Sequence, residues 1–357
     1  ARIATYAHLV VLDADGVRAR ARMEAREAGI VVVVDDAGAH YPLLIDPLLV
    51  SVEEATLLAS DGTASDGFGS SVWLASDGSR ALVGAPYDDT AGGTDAGSAR
   101  VFLRTGTTWA EEATLVASAG AANDNFGCSV ALTPDGSRAL VGAERDDTAG
   151  GFDAGSARVF LRTGTTWAEE ATLLASGGAT SDWFGGSVSL TSNGSRAVVG
   201  APNDDTAGGL DAGSARVFLR TGTTWAEEAT LLASGGAADD SLGGSVSLTS
   251  DGSRTLVGAS NDDTAGGNSA GSARVFLRTG STWAEEATLL ASDGAGFDDF
   301  GFSVSLASDG SRALVGALAD TTAGGPGTGS ARVFLRTGTT WAEEATLLAS
   351  GGATSDW

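Results

Sequence analysis

The sequence predicts an all-β fold: tandem four-stranded blades on a 58-residue repeat, forming a β-propeller preceded by a small β module. Three periodic features predict it. Phe-Gly stands at Phe68-Gly69, Phe126-Gly127, Phe184-Gly185 and Phe300-Gly301, with Leu242-Gly243 in the remaining place. Trp109, Trp167, Trp225, Trp283 and Trp341 keep the same step, as do Gly84, Gly142, Gly200, Gly258 and Gly316. Each step is 58 residues, as from 68 to 126, and no insertion or deletion interrupts five copies.

Residues 1–50 form the small module. Segments 8–12, 18–23, 30–34 and 41–45 read as strands between Asp-Gly or Ala-Gly turns, and Tyr41-Pro42 and Asp46-Pro47 mark a stiff exit. The array occupies 51–357, with five full blades over 66–355. Segment 52–58 reads as a fourth strand with no blade before it. Within the first unit, 69–74 alternates as a short strand, and Ser76-Asp77-Gly78-Ser79 supplies a tight turn. Residues 80–84 give a second strand, 88–97 a long Gly/Asp loop, and 98–104 a third strand. The turn at 105–108 leads into a fourth strand over 109–118. Four short strands and no helix make one blade. Since Asp356-Trp357 stops before a sixth Phe-Gly, a complete propeller is expected to have six or seven blades. The stretch then reads as an excerpt, as a ring completed by another chain, or as an open polymer. Ala1 opens no signal peptide, which fits an excerpt or a mature form.

Phe68-Gly69-Ser70-Ser71-Val72, Leu82-Val83-Gly84-Ala85-Pro86 and Gly97-Ser98-Ala99-Arg100-Val101-Phe102 together resemble the FG-GAP repeat. The resemblance covers about residues 52–357 and implies a propeller of the integrin α type, in a bacterial variant. The full Gly-Ala-Pro stands only at Pro86 and Pro202, with Glu144, Ser260 and Leu318 elsewhere. Secreted or cell-surface placement and calcium-holding blade loops are what the resemblance implies.

The 21 basic residues are all Arg, and the net charge is −25. Acid spread along the chain repels nucleic acid and anionic membranes and favours divalent cations. The best apolar run, 30–34, is far too short to span a bilayer and reads as a buried strand, so no membrane insertion is expected. Cys128 is the single cysteine, so there is no internal disulfide framework.

Carboxylates are the main candidates for chemistry. Asp-Asp opens the long loop at Asp88-Asp89, Asp146-Asp147, Asp204-Asp205 and Asp262-Asp263, with Asp320-Thr321 in the fifth copy. A further acid follows at Asp95, Asp153 and Asp211, replaced by Ser269 and Gly327. Another Asp precedes each Phe-Gly position by two residues: Asp66, Asp124, Asp182, Asp240 and Asp298. Calcium takes six to eight oxygens on a flexible loop, and such loops could supply several. The array carries no DxDxDG segment, and Asp13-Ala14-Asp15-Gly16 outside it is only half of one. The competing reading is that these residues close Asx-turns.

The periodic tryptophans are expected to fill the outer part of their own blades, with Arg104 opposite Trp109 for a cation–π contact. Trp73 and Trp183 break the period and are candidates for surface contact. Arg100, Arg104, Glu111 and Glu112 recur and should form cross-strand charge ladders. Catalysis finds little support: His8 and His40 lie outside the array, and Cys128 occurs in one copy only. The expected function is an extracellular, non-catalytic binding or adhesion scaffold for a protein or carbohydrate. The alternative is a structural subunit of a filament or surface layer, built of copies of itself joined through unpaired terminal strands.

Overall fold

The computed structural model describes residues 5–349 apart from 13, 16, 27–28, 36, 39, 41–43 and 51–53. It divides into two compact units, residues 1–57 with 106–108, and the remainder.

The first unit is an antiparallel sheet of β1 (Thr5–Leu12), β2 (Arg18–Arg26), β3 (Gly29–Asp35) and β4 (Leu44–Val50), ordered β3-β2-β1-β4. Three of its strands fall where the sequence places them. The fourth is displaced: Asp46-Pro47 is not an exit but lies inside β4, with Pro47 opposite Leu9. β4 is an edge strand of this sheet, the position in which a sheet accepts a proline. Tyr41-Pro42 lies outside the described residues.

The second unit carries five blades, each a four-stranded antiparallel meander. Blade 1 consists of β5 (Ser71–Leu74), β6 (Arg80–Ala85), β7 (Ser98–Thr105) and β8 (Thr108–Leu115). Blades 2 to 5 repeat it as β9–β12 (130–173), β13–β16 (187–231), β17–β20 (245–289) and β21–β24 (300–347). Residues 54–58 form no strand, which corrects the expected orphan strand over 52–58. Val52 and Glu53 lie outside the described residues.

The core lies between blades rather than within them. Leu82, Val101 and Leu115 of blade 1 cluster with Phe126, Leu132, Val141 and Phe160 of blade 2, and the pattern recurs at the next three junctions. The second strand of each inner blade is therefore buried on both faces, which is why it reads as an unbroken apolar run.

Small residues permit this approach. A Cβ on Gly142 would collide with the Gly185 carbonyl of the next blade, and Gly200 and Gly258 face the same constraint. Gly127 has φ 100°, a conformation that favours glycine, and carries its carbonyl to the Ser71 hydroxyl of the preceding blade at 2.8 Å. Phe126, fully buried, packs edge-on against Phe160 with centroids 6.0 Å apart. The Phe-Gly signature thus plugs one blade into its predecessor.

A bulge recurs in the outer hairpin. Val159 pairs with Ala171 but Phe160 pairs with Glu169, leaving Glu170 as the extra residue, and blades 3 to 5 do the same. The bulge turns two consecutive glutamates toward different partners.

Candidate functional site

The long loop after each second strand carries the acids singled out by sequence. The first acid of each pair is buried and faces an arginine. Asp88 Oδ2 accepts from Ser98 Oγ at 2.5 Å and from Arg100 Nη2 at 2.7 Å. Asp146 meets Ser156 and Arg158, Asp204 meets Ser214 and Arg216, and Asp262 meets Ser272 and Arg274 in the same way. Asp320 repeats the set with Ser330 and Arg332.

The second acid serves the backbone. Asp89 Oδ1 accepts the Asp95 N–H at 2.9 Å, and Asp147, Asp205 and Asp263 do so for Asp153, Asp211 and Ser269. The third acid sits in the left-handed region: φ is 52° at Asp95, 51° at Asp153 and 49° at Asp211. Asp tolerates that conformation, and Gly327 with φ 64° replaces it freely in blade 5. Of the eleven acids proposed from sequence, eight bond their own loop or its arginine through the side chain, and Asp95, Asp153 and Asp211 occupy its left-handed position. Among the described residues, no three or more His, Cys, Asp or Glu side chains gather as a metal site. The donor set does not fit calcium, because the buried carboxylate is already committed to a guanidinium and a hydroxyl. Asp13 and Gly16 lie outside the described residues, and Asp15 contacts His40 at 2.5 Å.

The Asp before each Phe-Gly folds back on its own turn. Asp124 Oδ2 accepts the Ala121 N–H at 2.6 Å, and Asp182, Asp240 and Asp298 repeat this with Ala179, Ala237 and Ala295. Burial pushes the Asp124 carboxyl up to about 6; the Ala121 N–H opposes this, and nearby Asp146 and Asp147 add to it. Burial likewise raises Asp182, Asp240 and Asp298. Asp66 goes the other way. The Thr63 hydroxyl donates to it at 2.6 Å and the Thr63 N–H at 2.5 Å, holding it below its ordinary value. Alanine at positions 121, 179, 237 and 295 offers no such hydroxyl.

The charge ladders are only half as expected. Arg100 does reach Glu111, at 3.2 Å. Glu112 pairs instead with Arg80, through two hydrogen bonds of 2.9 and 3.0 Å. In blades 2 to 5 the bulge re-aims the corresponding glutamate toward the strand-two arginine, as Glu170 to Arg138, a consequence hidden from strict alternation. In blades 2 to 5 the arginine opposite the tryptophan is in the expected register, as Arg162 is to Trp167. Its guanidinium donates to the Gly136 and Gly164 carbonyls rather than covering the ring. Trp167 in turn packs on the junction cluster of blades 1 and 2 and donates Nε1–H to Glu112 of blade 1 at 3.3 Å. Trp167, Trp225, Trp283 and Trp341 are fasteners between blades, not fillers of their own. Of the two outside the period, Trp73 is 37% exposed, and Trp183 lies under Arg145 at 5.8 Å.

Cys128 donates weakly to the Gly185 carbonyl. Burial pushes its thiol up to about 12, so it is protonated at neutral pH.

A surface feature also repeats, and sequence reading missed it. Beside the long loops of blades 2, 3 and 4 lies a notch of about 220 to 310 Å³, lined by the Thr-Ala-Gly tip and the segment after the fourth strand. Leu174, Leu232 and Leu290 line successive notches and are 42%, 41% and 42% exposed. Leu-Ala-Ser at a 58-residue step was the available signal, hidden because it looks like the end of a strand.

Fold and site together define a tandem array of propeller-type β-blades whose loops are closed by internal ion pairs. The family model for the FG-GAP repeat matches residues 52–102, 109–160, 167–218, 225–276 and 283–334, and the chain belongs to that family. No curated protein sequence matches the chain. Among solved structures it is similar to a hydrazine synthase of Kuenenia stuttgartiensis, at TM-score 0.50 and 13% identity. The match covers 80% of this chain and 68% of that one, and at such identity the likeness concerns the fold alone.

Proposed function

We propose that this chain is a non-catalytic binding or adhesion scaffold, extracellular or at the cell surface, that takes a protein or carbohydrate ligand through its repeated notches. The observation that carries the reading is the leucine-lined notch, repeated on successive blades with the same lining. Identical shallow sites on a rigid frame suit multivalent recognition, in which several weak contacts add to a strong one. The acid-rich loops serve this by fixing the notch walls. The test is capture of intact bacterial cells and of an arrayed glycan panel by the immobilised chain. Replacing Leu174, Leu232 and Leu290 together by Asp should cut capture at least tenfold while the fold persists, since all three side chains are substantially exposed. Undiminished capture would remove the reading.

A second reading, a structural subunit of a filament or surface layer, is favoured by the end faces of the array. Val72 and Leu74 of blade 1 are 67% and 58% exposed, and Leu314 of blade 5 is 39% exposed, where inner blades bury the same positions. Copies of the chain would then meet through blade faces rather than through terminal strands. Light scattering and negative-stain microscopy separate the two: discrete particles at all concentrations sink the filament, and fibres sink the monomeric scaffold.

A further inference from the structure

The buried arginine in each blade has surroundings that resemble those of a metal ion. Arg216 is 7% exposed and is met only by oxygen. It contacts Asp204 Oδ2 at 2.6 Å, Ser214 Oγ at 3.2 Å, Glu227 Oε1 at 3.2 Å, Thr230 Oγ1 at 3.0 Å and the Ser176 carbonyl at 3.0 Å. Arg274 has the same set with the Ser234 carbonyl. In blades 1 and 5 an aspartate joins instead: Asp61 lies 2.7 Å from Arg100, and Asp293 lies 2.6 Å from Arg332. Two or three carboxylates, two hydroxyls and, in blades 3 and 4, a carbonyl around one positive charge make the ligand chemistry of a hard divalent cation. A guanidinium presents five donors in a fixed plane and stays charged at any working pH, so it can hold such a group without metal.

We infer that each blade supplies its own cation: Arg100, Arg158, Arg216, Arg274 and Arg332 stand where a divalent ion would otherwise bind the loop to the outer strand. The array then folds independently of metal, and its loops resist chelators. The arginine draws together three parts of the molecule. Asp204 belongs to the long loop, Glu227 to the outer strand, and Ser176 to the segment arriving from the preceding blade. Removing the guanidinium leaves the buried Asp204 and the half-buried Glu227 without the charge they share, a cost that a small divalent cation would relieve.

The experiment uses the whole chain and three proteins: the parent, Arg216→Met and Arg216→Lys. Thermal midpoints are read with millimolar calcium chloride and with a chelator. The parent should show the same midpoint in both. Arg216→Met should melt about 6–12 °C lower in chelator and recover a substantial part of that loss in calcium. Arg216→Lys keeps one positive charge but not the fork, and should fall between the two without responding to calcium. If Arg216→Met does not fold, the same comparison is made with Asp204→Asn. That variant should be destabilised to a similar degree and be indifferent to calcium. A parent midpoint that rises with calcium, or an Arg216→Met midpoint that calcium leaves unchanged, would overturn the inference.

Discussion

Residues 138–143 and 312–317 have the same sequence, Arg-Ala-Leu-Val-Gly-Ala, and form the second strand of blade 2 and of blade 5. In blade 2, Leu140 is completely buried among Phe184, Val199 and Phe218 of blade 3. In blade 5, Leu314 is 39% exposed. The ion pair beside them follows suit. Arg138 and Glu170 side chains are 14% and 5% exposed, whereas Arg312 and Glu344 are 51% and 37% exposed. Burial here belongs to the junction and not to the strand. A blade has no core of its own, and identical residues contribute to stability only where a neighbour covers them.

The comparison can be broken by paired substitutions. The largest contrast should come from the leucines. Leu140→Ala should cost about 2–5 kcal/mol from transfer and cavity terms, and Leu314→Ala about 1 kcal/mol; thermal or urea melts of the two variants read the difference. Next is the ion pair. Arg138→Met leaves Glu170 buried with the Trp225 Nε1–H and the charge of Arg220 but no guanidinium hydrogen bond, and should cost about 3 kcal/mol. Arg312→Met should be indistinguishable from the parent, because an exposed pair contributes little. Gly142→Ala forces a methyl against the Gly185 carbonyl and should cost about 1–3 kcal/mol. At Gly316 the same methyl meets chiefly the mobile Ser303 hydroxyl, so Gly316→Ala should be the milder change.

The smallest expected effect is on pH dependence. Asp124, raised to about 6, binds its proton more readily in the folded chain than in the unfolded one. Its contribution therefore grows as pH falls through about 6 and is complete near pH 4. Asp182, Asp240 and Asp298 act in the same direction. Glu112, Glu170, Glu228 and Glu286 are held below their ordinary value, so their contribution is lost as pH drops further. Midpoints should peak near about pH 4.5 and decline on both sides. Asp124→Asn should flatten the limb between pH 4 and 6, and Ala121→Thr should do so too by supplying the hydroxyl that Thr63 gives Asp66. A midpoint that rises steadily from pH 4 to 7 would contradict the assignment.

The period and the strands were legible because the Gly of Phe-Gly and of the second strand are fixed by close backbone approach, and the large side chains before and after them fill the same junction in each copy, Leu242 standing for Phe in one. The loop acids were located correctly, but their chemistry was not visible. Asp88 and Arg100 are 12 residues apart in sequence and meet only because the loop folds back across the strand. The partner of Glu170 and its counterparts was misassigned because a bulge breaks the two-residue alternation on which strand reading depends. Trp167 was placed in its own blade because nothing in a repeat unit says which neighbour it will touch. The displaced β4 shows a different limit: Pro47 reads as a terminator until the strand is known to lie at a sheet edge.

Hydrogen exchange by mass spectrometry tests the central claim most directly. Peptides running from the shared hexapeptide into Glu144-Arg145 or into Leu318-Ala319 distinguish the two copies despite their identical strands. If stability resides in the junctions, amides of 139–143 should exchange at the slowest rates in the chain, and those of 313–317 at least tenfold faster. Equal protection in the two copies would mean that each blade holds itself together, and would contradict the account.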